Sequence, residues 1–269
     1  MPELPDVELL RRYVDETCKG RVIQQAAVHD PKMLSGIPSD AFAAKLKGAR
    51  ILAARRHGKH LLIQLAPVGW ITMHFGLTGG LRHLAGKEPD PPYTRIRFDF
   101  ADGHHLAYVN LRRLGAVGFA EDADGFIAAE RLGPDVLDPR FDLAAFGQAL
   151  SARRRDIKSV LMDQAAMAGI GNIYSDEILF QAGIHPQTRA DQLGTDARKH
   201  LFKELKHVLE TAVERGAGAE LSAEALPPSF LLPQRKKGGR CPRCGGELHR
   251  AKFSSRTAYY CPHCQVEKR

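Results

Sequence analysis

A chain of 269 residues is long enough to form more than one domain, and its 43% hydrophobic and 26% charged content excludes a disordered or fibrous chain. The net charge of +8 favours a polyanionic partner. No apolar stretch is long enough to span a bilayer, and the acidic N-terminus does not resemble an export signal, so we expect a cytoplasmic protein without a membrane partner.

The chain opens with the pattern of a helix start. Pro5 suits the first helical turn, and Asp6 and Glu8 suit the positive end of the helix dipole. Three apolar residues then share one helical face: Val7, Leu10 and Val14. We predict an amphipathic helix that ends near Gly20, with Cys18 as a small buried hydrophobic residue at its end.

The same stretch contains a candidate nucleophile. Removal of Met1 would leave Pro2 with its secondary amine as the α-amino group of the chain. A free α-amino group has a pKa of about 7.7 to 8.0, so a useful fraction is unprotonated near neutral pH. Glu3 could act as an acid or as an electrostatic partner for a developing cation. Composition alone favours the helix start, and the two interpretations are compatible.

Short strands dominate the sequence from Arg21 to about Ala120. Their predicted ranges are 22–28, 51–55, 61–65, 70–75, 95–100 and 104–109. The pair Asp102-Gly103 predicts a tight hairpin between the last two strands. Several short strands at this spacing indicate a β-sandwich or a barrel. The pair Gly133-Pro134 marks the end of this region.

Helical patterns follow, over residues 141–150, 157–164, 172–182 and about 195–215. Gly216 would cap the last helix. Asn172 follows Gly169-Ile170-Gly171 and is a suitable N-cap; the amides of such a helix start can bind a phosphate, although many helix starts look alike. Residues 217–234, which contain Pro227, Pro228 and Pro233, are predicted to form a linker or an irregular loop.

Four cysteines near the C-terminus form two CxxC pairs: Cys241 with Cys244, and Cys261 with Cys264. Their spacing favours one closed tetrahedral zinc site over two redox pairs or disulfides. The segment between the pairs would be a β-hairpin too small to fold without metal. We therefore predict a zinc ribbon that holds one structural zinc ion.

The basic charge of the chain is concentrated in this same region. Beyond Gln234 the sequence contains ten basic and two acidic side chains, an excess that equals the net charge of the whole chain. A basic tail interleaved with metal ligands and aromatic residues favours a nucleic-acid contact over a solvated arm.

Taken together, these stretches resemble the formamidopyrimidine-DNA glycosylase and endonuclease VIII family, and more closely its formamidopyrimidine branch. The matching segments span nearly the whole chain: Pro2-Glu3-Leu4-Pro5, Arg56–Lys59, His74–Gly79, Arg112–Gly115, Ile170–Tyr174 and Arg256. The resemblance implies an α+β multidomain fold, with a helix and a β-sandwich first, then a helix-two-turns-helix domain and a zinc-ribbon β-hairpin. We place the domains at residues 1–133, 134–226 and 227–269.

By this resemblance the protein is a bifunctional DNA glycosylase and abasic-site lyase of base excision repair. It would act as a monomer, associated with the bacterial nucleoid, on double-stranded DNA that contains a damaged base or an abasic site. Pro2 would attack C1′ of the damaged nucleotide, Glu3 would assist opening of the sugar, and Lys59 would bind the phosphates around the lesion. The other DNA contacts that the resemblance implies are His74, Lys158, Asn172 and Arg256 on the backbone, Arg112 in the void left by the everted base, and Leu77 and Leu114 as wedges.

The sequence departs from the family pattern in three places. Leu77 and Leu114 replace a Met and a Phe wedge, which weakens stacking on a base, and Asp6 replaces a glutamate. Residues 217–240 are unlike the lesion-capping loop, which leaves oxidised pyrimidines as an alternative to oxidised purines. A protein that kept the fold and DNA binding but lost the chemistry is the second alternative.

Overall fold

The computed structural model describes residues 2–67, 69–216, 225–253 and 256–266. These residues form two compact units. The first consists of Pro2 and Val7–Glu130, and the second of Glu3–Asp6 and the described residues from Arg131 onward. The first helix, α1 (Leu4–Cys18), therefore contributes its opening turn to one unit and the remainder to the other.

Helix α1 confirms the predicted amphipathic helix. Val7 and Val14 are fully buried, as is Cys18 in the last turn. Burial raises the pKa of the Cys18 thiol to about 11, so this cysteine is a thiol at neutral pH and packs as a small hydrophobic side chain.

The first unit is built mainly from strands. They are β1 (Ile23–Val28), β2 (Leu34–Ser35), β3 (Arg50–His57), β4 (His60–Ala66), β5 (Trp70–His74), β6 (Gly79–Leu84), β7 (Thr94–Phe100), β8 (His105–Asn110) and β9 (Ala116–Ala120). One sheet has the order β1-β7-β8-β6 and the other β2-β9-β5-β4-β3. The β2–β9 pair is parallel and the other neighbours are antiparallel. Two short helices, α2 (Ser39–Leu46) and α3 (Ala123–Ala129), accompany the sheets.

Alternation along the strands places one face of each sheet in a shared hydrophobic core. In β7 the side chains of Ile96, Phe98 and Phe100 are buried, and across the register Phe98 lies opposite Leu106 and Ile96 opposite Tyr108. Side chains of both sheets meet in this one core, which confirms the sandwich rather than the barrel. Each such side chain stabilises the fold by about 1.5–3 kcal/mol. The predicted hairpin at Asp102-Gly103 is also confirmed, since β7 and β8 pair directly across it.

The second unit is mainly helical, with α4 (Leu143–Ser151), α5 (Ile157–Leu161), α6 (Asn172–Gln181) and α7 (Thr195–Glu214). Aspartates cap two of these helices: Asp142 accepts from Ala145 N at 2.8 Å, and Asp156 accepts from Ser159 N at 2.8 Å. Gly216 follows α7 with φ +63°, as predicted for a helix cap. Of the helices within the described ranges, none combines the length and the apolar character that crossing a membrane requires.

The proline-containing segment after α7 is irregular but is not a free linker. Residues 217–224 lie outside the described residues. From there on, Leu226, Phe230 and Leu232 are buried in the helical core, and Leu231 is fully buried beside the zinc-ribbon cysteines. Pro233 lies in a short 3-10 helix at Leu232–Gln234, and the apolar residues around the prolines supply the burial that holds the segment in place.

The C-terminal region forms the predicted β-hairpin. Strands β10 (His249–Phe253) and β11 (Arg256–Tyr260) pair antiparallel, with His249 opposite Tyr260 and Phe253 opposite Arg256. Its small core consists of Leu248 and two cysteines packed against Phe180 of α6 and Leu231. A cluster of this size is too small to hold a hairpin by itself.

Candidate functional site

Glu3 caps the N-terminus of helix α6. One carboxylate oxygen accepts from Gly171 N at 2.8 Å and Tyr174 N at 3.1 Å, and the other accepts from Ile173 N at 2.8 Å. The side chain is fully buried. Three N–H groups at the start of α6 thus meet a carboxylate at the positive end of the helix dipole, which fixes the position of Glu3.

The prediction that Asn172 is the N-cap of α6 is wrong. The N-cap position is held by Gly171, which makes no side-chain cap, and Asn172 is the first helical residue. Glu3 takes the capping role instead, and a Cβ atom on Gly171 would collide with its carboxyl group. The side-chain oxygen of Asn172 is buried and makes no hydrogen bond to any described residue, while the residue as a whole is half-buried.

The backbone around Glu3 is held as firmly as its side chain. Glu3 N donates to Asp6 Oδ2 at 2.8 Å, which closes the first turn of α1, and Leu4 N donates to Gly169 O at 3.1 Å. Asp6, shorter than the family glutamate, still reaches this bond. Pro2 is buried and joined to Glu3 by one peptide bond, while Met1 lies outside the described residues.

Lys59 and His74 lie in the first unit, at the β3–β4 turn and at the end of β5. Lys59 is buried apart from 8% of its surface, and the ring of His74 lies 5.1 Å from that of His60 on the paired strand. Burial, with the charge of Lys59, lowers the pKa of His74, and burial lowers that of His60 to about 3. Gly76 N donates to His74 Nδ1 at 3.3 Å, so neutral His74 carries its proton on Nε2 and can donate it.

Two loops carry the predicted wedges, and both belong to the first unit. Leu114 is 54% exposed, Arg112 is exposed and Leu77 is half-buried. The loops are fastened together, because Arg112 N donates to Thr78 Oγ1 at 3.0 Å and a Cβ atom on Gly76 would collide with the backbone of Leu114. An exposed leucine on a fixed loop can fill a gap between bases, as a wedge must.

Lys158 is buried beneath Asn172. Its ammonium group donates to Asn172 O at 3.0 Å, Ser175 Oγ at 2.8 Å and Asp176 Oδ1 at 2.6 Å, and the residue is 1% exposed. All three N–H groups are therefore used within the protein. In this geometry Lys158 stabilises the first turn of α6 through these hydrogen bonds. Its contact with a DNA phosphate stays a prediction.

Sequence analysis missed the two carboxylates that follow on α6. Asp176 is fully buried; its Oδ2 accepts from Arg235 Nε at 2.9 Å and from Tyr259 N of β11 at 3.1 Å. Glu177, also fully buried, accepts from the backbone of Leu231 at 3.1 Å and Leu232 at 2.7 Å. Burial raises the pKa of Glu177 to about 7. The available signal was an adjacent pair of acids in a helix whose other residues are uncharged, and α6 is buried on almost every side.

The four C-terminal cysteines form one cluster that fits a zinc ion. Their Sγ atoms all lie within 4.8 Å of one another, with 3.8 Å between Cys241 and Cys264 and 3.5 Å between Cys244 and Cys261. A tetrahedral zinc–thiolate site with bonds of about 2.3 Å places its sulfurs about 3.8 Å apart, whereas a disulfide needs about 2.0 Å. The predicted structural zinc site is confirmed, and Cys18 is not part of it.

Arg256 is exposed at the start of β11 and lines a cleft of about 270 Å³. The walls also include Arg155, Lys158, Ser159 and Phe253. Asp163 also lines the cleft, with its Oδ2 3.7 Å from Arg155 Nη1, so Arg155 already has an acidic partner and Arg256 is the guanidinium better placed to bind a phosphate.

The structure brings the predicted residues together in two groups. Glu3, Asn172, Lys158, Arg256 and the four cysteines belong to the second unit. The first unit contains Pro2, Lys59, His74, Leu77, Arg112 and Leu114.

Comparison with known proteins identifies the family. Three family models match the chain: the formamidopyrimidine-DNA glycosylase N-terminal domain over residues 1–117, the formamidopyrimidine-DNA glycosylase H2TH domain over 132–223, and a zinc finger found in FPG and IleRS over 238–266. The formamidopyrimidine-DNA glycosylase of Carboxydothermus hydrogenoformans is 35% identical over 271 residues, which cover 98% of this chain and 100% of the relative.

Two solved structures from Lactococcus lactis share the fold at 27% identity. One is wild-type Fpg (MutM) in complex with DNA that contains N7-benzyl-Fapy-dG, with a TM-score of 0.90 over 99% of this chain and 100% of that one. The other is the same enzyme bound non-covalently to DNA with an AP site, with a TM-score of 0.89 over 98% and 100% of the two chains. With family models matched from residue 1 to 266 and a full-length relative at 35% identity, the chain belongs to the formamidopyrimidine-DNA glycosylase family.

Proposed function

We propose that this protein is a bifunctional DNA glycosylase and abasic-site lyase that removes oxidised bases from double-stranded DNA in base excision repair. The observation that carries the proposal is the placement of Glu3. Its carboxylate is fixed by three backbone N–H groups of α6, one peptide bond away from the candidate nucleophile Pro2. A carboxylate held in this way next to an amine is what covalent catalysis through a cationic intermediate needs.

The proposed reaction begins once Met1 has been removed. The Pro2 nitrogen attacks C1′ of the damaged nucleotide, the N–C1′ bond forms and the base leaves with the electron pair of the glycosidic bond. Glu3 assists opening of the sugar, which leaves an iminium ion between Pro2 and C1′. Because the proline nitrogen is secondary, this imine stays cationic, and the fixed carboxylate of Glu3 is its counter-charge. Loss of a sugar proton accompanies elimination of the 3′ and then of the 5′ phosphate, and hydrolysis of the iminium ion by water releases Pro2 and completes the lyase reaction.

DNA binding is proposed to use both units. Lys59 and His74 bind phosphates near the lesion from the first unit, and Asn172 and Arg256 do so from the second. Arg112 fills the void left by the everted base, and Leu77 and Leu114 act as wedges. Support comes from the exposure of Arg112, Leu114 and Arg256 and from the DNA complexes of the solved relatives. Acting as a monomer on chromosomal DNA, the protein would associate with the nucleoid.

The proposed domain boundaries stay at residues 1–133, 134–226 and 227–269. They are supported by the break between compact units after Glu130 and by family matches over 1–117, 132–223 and 238–266.

Oxidised purines are the proposed substrates, with oxidised pyrimidines as the alternative. The Lactococcus lactis relative was solved with a ring-opened purine, which supports the first. Single-turnover cleavage rates on 8-oxoguanine and on an oxidised pyrimidine, each in the same paired duplex, measure the preference. A faster rate on the pyrimidine would reverse the proposed order.

Borohydride reduction with an abasic-site duplex tests the chemistry. The reductant converts an iminium ion into a stable amine, so Met1-processed protein should become covalently attached to DNA. The adduct should disappear in Pro2→Gly and Glu3→Gln, while Glu16→Gln, an exposed acid on the same helix, should form it normally.

Two results separate the proposal from its competitor. A processed protein that binds the duplex but gives no adduct would be a DNA-binding protein without the chemistry. If an adduct persists in Pro2→Gly, peptide mapping of the attachment site distinguishes the new glycine amine from another amine, and attachment of the wild type anywhere but Pro2 would assign the nucleophile to another amine.

A further inference from the structure

One edge of the first unit gathers most of the exposed large apolar side chains. Among the described residues these are Leu52, Tyr93, Leu111, Leu114 and Val266. Tyr93 comes just before β7, and Leu111 and Leu114 lie in the loop after β8. Asn110 N donates to Tyr93 O at 3.1 Å, so the backbone of Tyr93 lies against the base of that loop.

The backbone at this edge is in an unusual conformation. Tyr93 has φ +66° and Arg113 has φ +55°, two of the three positive-φ residues other than glycine in the described chain. A bulky L-residue rarely adopts this region, because its Cβ crowds the backbone. Such strain is retained where the surrounding structure or a function requires the side chain.

The ring of Tyr93 contacts Arg95, which is itself bonded to the loop. The guanidinium carbon of Arg95 lies 5.8 Å from the ring centroid, and Arg95 Nε donates to Asn110 O at 2.8 Å. On the other side of the loop, Arg113 Nε lies 2.8 Å from Asp30 Oδ2, and Arg95 lies 3.9 Å from the same oxygen. One network therefore holds the aromatic ring and the loop in a single arrangement.

We infer that Tyr93 stacks on a base exposed at the opened site of the duplex. The inference rests on the proposed function, which places Arg112 and Leu114 in the DNA. A leucine at 114 fills space but has no aromatic face, whereas stacking on an aromatic side chain stabilises an unpaired base. Tyr93 is 53% exposed, lies against the same loop and offers that face. The exposed Arg112 adds positive charge for the phosphates.

Two substitutions test the inference. Tyr93→Phe keeps the ring, and Tyr93→Gly removes it while it suits the positive φ. Leu52→Ala, which shortens an exposed apolar side chain on β3, is the matched control. The probe is a duplex with a tetrahydrofuran abasic analogue and 2-aminopurine placed, in three separate duplexes, opposite the analogue or at either neighbour on that strand.

In Tyr93→Gly we expect the dissociation constant for DNA to rise at least fivefold. In the wild-type complex, stacking on Tyr93 should quench the fluorescence of 2-aminopurine at one of the three positions. That fluorescence should return in Tyr93→Gly. Tyr93→Phe and Leu52→Ala should match the wild type in both measurements. The melting temperature of free Tyr93→Gly should be no lower than that of the wild type, because the glycine relieves the backbone strain. This last result separates lost DNA contact from lost folding.

Unchanged affinity and fluorescence in Tyr93→Gly would overturn the inference, as would an equal loss in Tyr93→Phe, which would assign the effect to the hydroxyl group. Borohydride trapping of the wild type on an abasic duplex is run in parallel. If trapping fails, the proposed function fails; if trapping succeeds while the Tyr93 variants bind normally, only the role of Tyr93 fails.

Discussion

His74 illustrates how its surroundings decide what a single residue can contribute. Burial and the nearby charge of Lys59 lower its pKa, and the contact with Gly76 N leaves the proton on Nε2. At neutral pH it is a neutral hydrogen-bond donor and not a cation. Arg256, exposed at the start of β11, presents a guanidinium cation to solvent.

This difference predicts two distinct salt dependences of binding to undamaged duplex. Only a cation that neutralises a phosphate releases condensed counterion, which changes the log–log slope by roughly 0.9 per contact. Arg256→Ala should therefore weaken binding and reduce the slope by about one unit. His74→Ala should weaken binding and leave the slope unchanged. Titrations at several salt concentrations near pH 7.5 measure both.

Exposed Arg140, which pairs with Asp138, is the control for loss of an arginine, and Arg140→Ala should alter neither affinity nor slope. A reduced slope in His74→Ala would mean that the imidazole is protonated when bound to DNA. An unchanged slope in Arg256→Ala would place that residue outside the interface.

At the residue scale, the sequence predicts that Glu3 is a functional residue but does not predict which residues it binds. The helix-start pattern and the position beside Pro2 both marked this residue. Its hydrogen bonds to α6 cross a sequence separation of 168 to 171 residues, and no local pattern reports contacts of that range. Asn172 was assigned the cap because it was the suitable local residue, and the distant carboxylate took the role.

At the scale of elements, α6 connects several parts of the second unit. Its N-terminus binds Glu3, Asp176 binds Lys158, Arg235 and the backbone of β11, and Glu177 binds the segment at 231–232. Each carboxylate stabilises contacts with a segment that has little regular structure of its own. Loss of either should loosen the attachment of the zinc hairpin before it affects the strands of the first unit.

Glu177 predicts a pH-dependent stability. Burial raises its pKa from 4.5 to about 7, so the folded state binds the proton more tightly than the unfolded chain. The stability contributed in this way is complete below about pH 4.5 and is lost as the pH rises through about 7. Relative to Glu177→Gln, the wild type should lose about 2 kcal/mol of unfolding free energy between pH 5.5 and 8.

Urea unfolding of the wild type and of Glu177→Gln at pH 5.5, 6.5 and 8 measures the difference in unfolding free energy. Groups other than Glu177 titrate in both proteins, so their contributions cancel in this difference. Gln181→Ala, which removes one hydrogen bond to Glu177 and leaves the carboxyl group, is the companion variant. A pH-independent difference between wild type and Glu177→Gln would mean that the carboxyl group is ionised throughout.

Strands and helices with strong periodicity were predictable, and the burial of the chain between them was not. The alternation of Ile96, Phe98 and Phe100 gave β7, and the Asp102-Gly103 pair gave its hairpin. The segment from Leu226 to Leu232 looked like a linker because of its prolines. Its apolar residues are buried by α6 and the helical core, and that contact depends on tertiary structure which a local pattern does not contain.

For the molecule as a whole, zinc is expected to support one region and not the rest. The hairpin core consists of two cysteines, Leu248, Phe180 and Leu231, whereas none of the described hairpin residues belongs to the core of the first unit. The sulfur cluster, which no other described residue completes, must therefore supply most of the hairpin's stability.

Cys244→Ser should release the metal, unfold the hairpin and weaken DNA binding, while the first unit stays folded. Metal analysis should give one zinc per chain for the wild type and for Cys18→Ala, and much less for Cys244→Ser. Limited proteolysis should cut Cys244→Ser within 241–264 first. Stoichiometric zinc in Cys244→Ser, or none in wild type purified without chelator, would contradict the assignment.

The cap that Glu3 forms on α6 also sets an order of events during synthesis. Glu3 leaves the ribosome before α6, and the N–H groups it binds follow 168 to 171 residues later. At 5–20 residues per second this delay is roughly ten to thirty seconds. The folded chain buries Pro2, so under the proposed function we expect Met1 to be removed before Glu3 reaches α6. The delay is then the time available for exposing the proposed nucleophile, and a chain that closes earlier would keep its methionine and lack the amine.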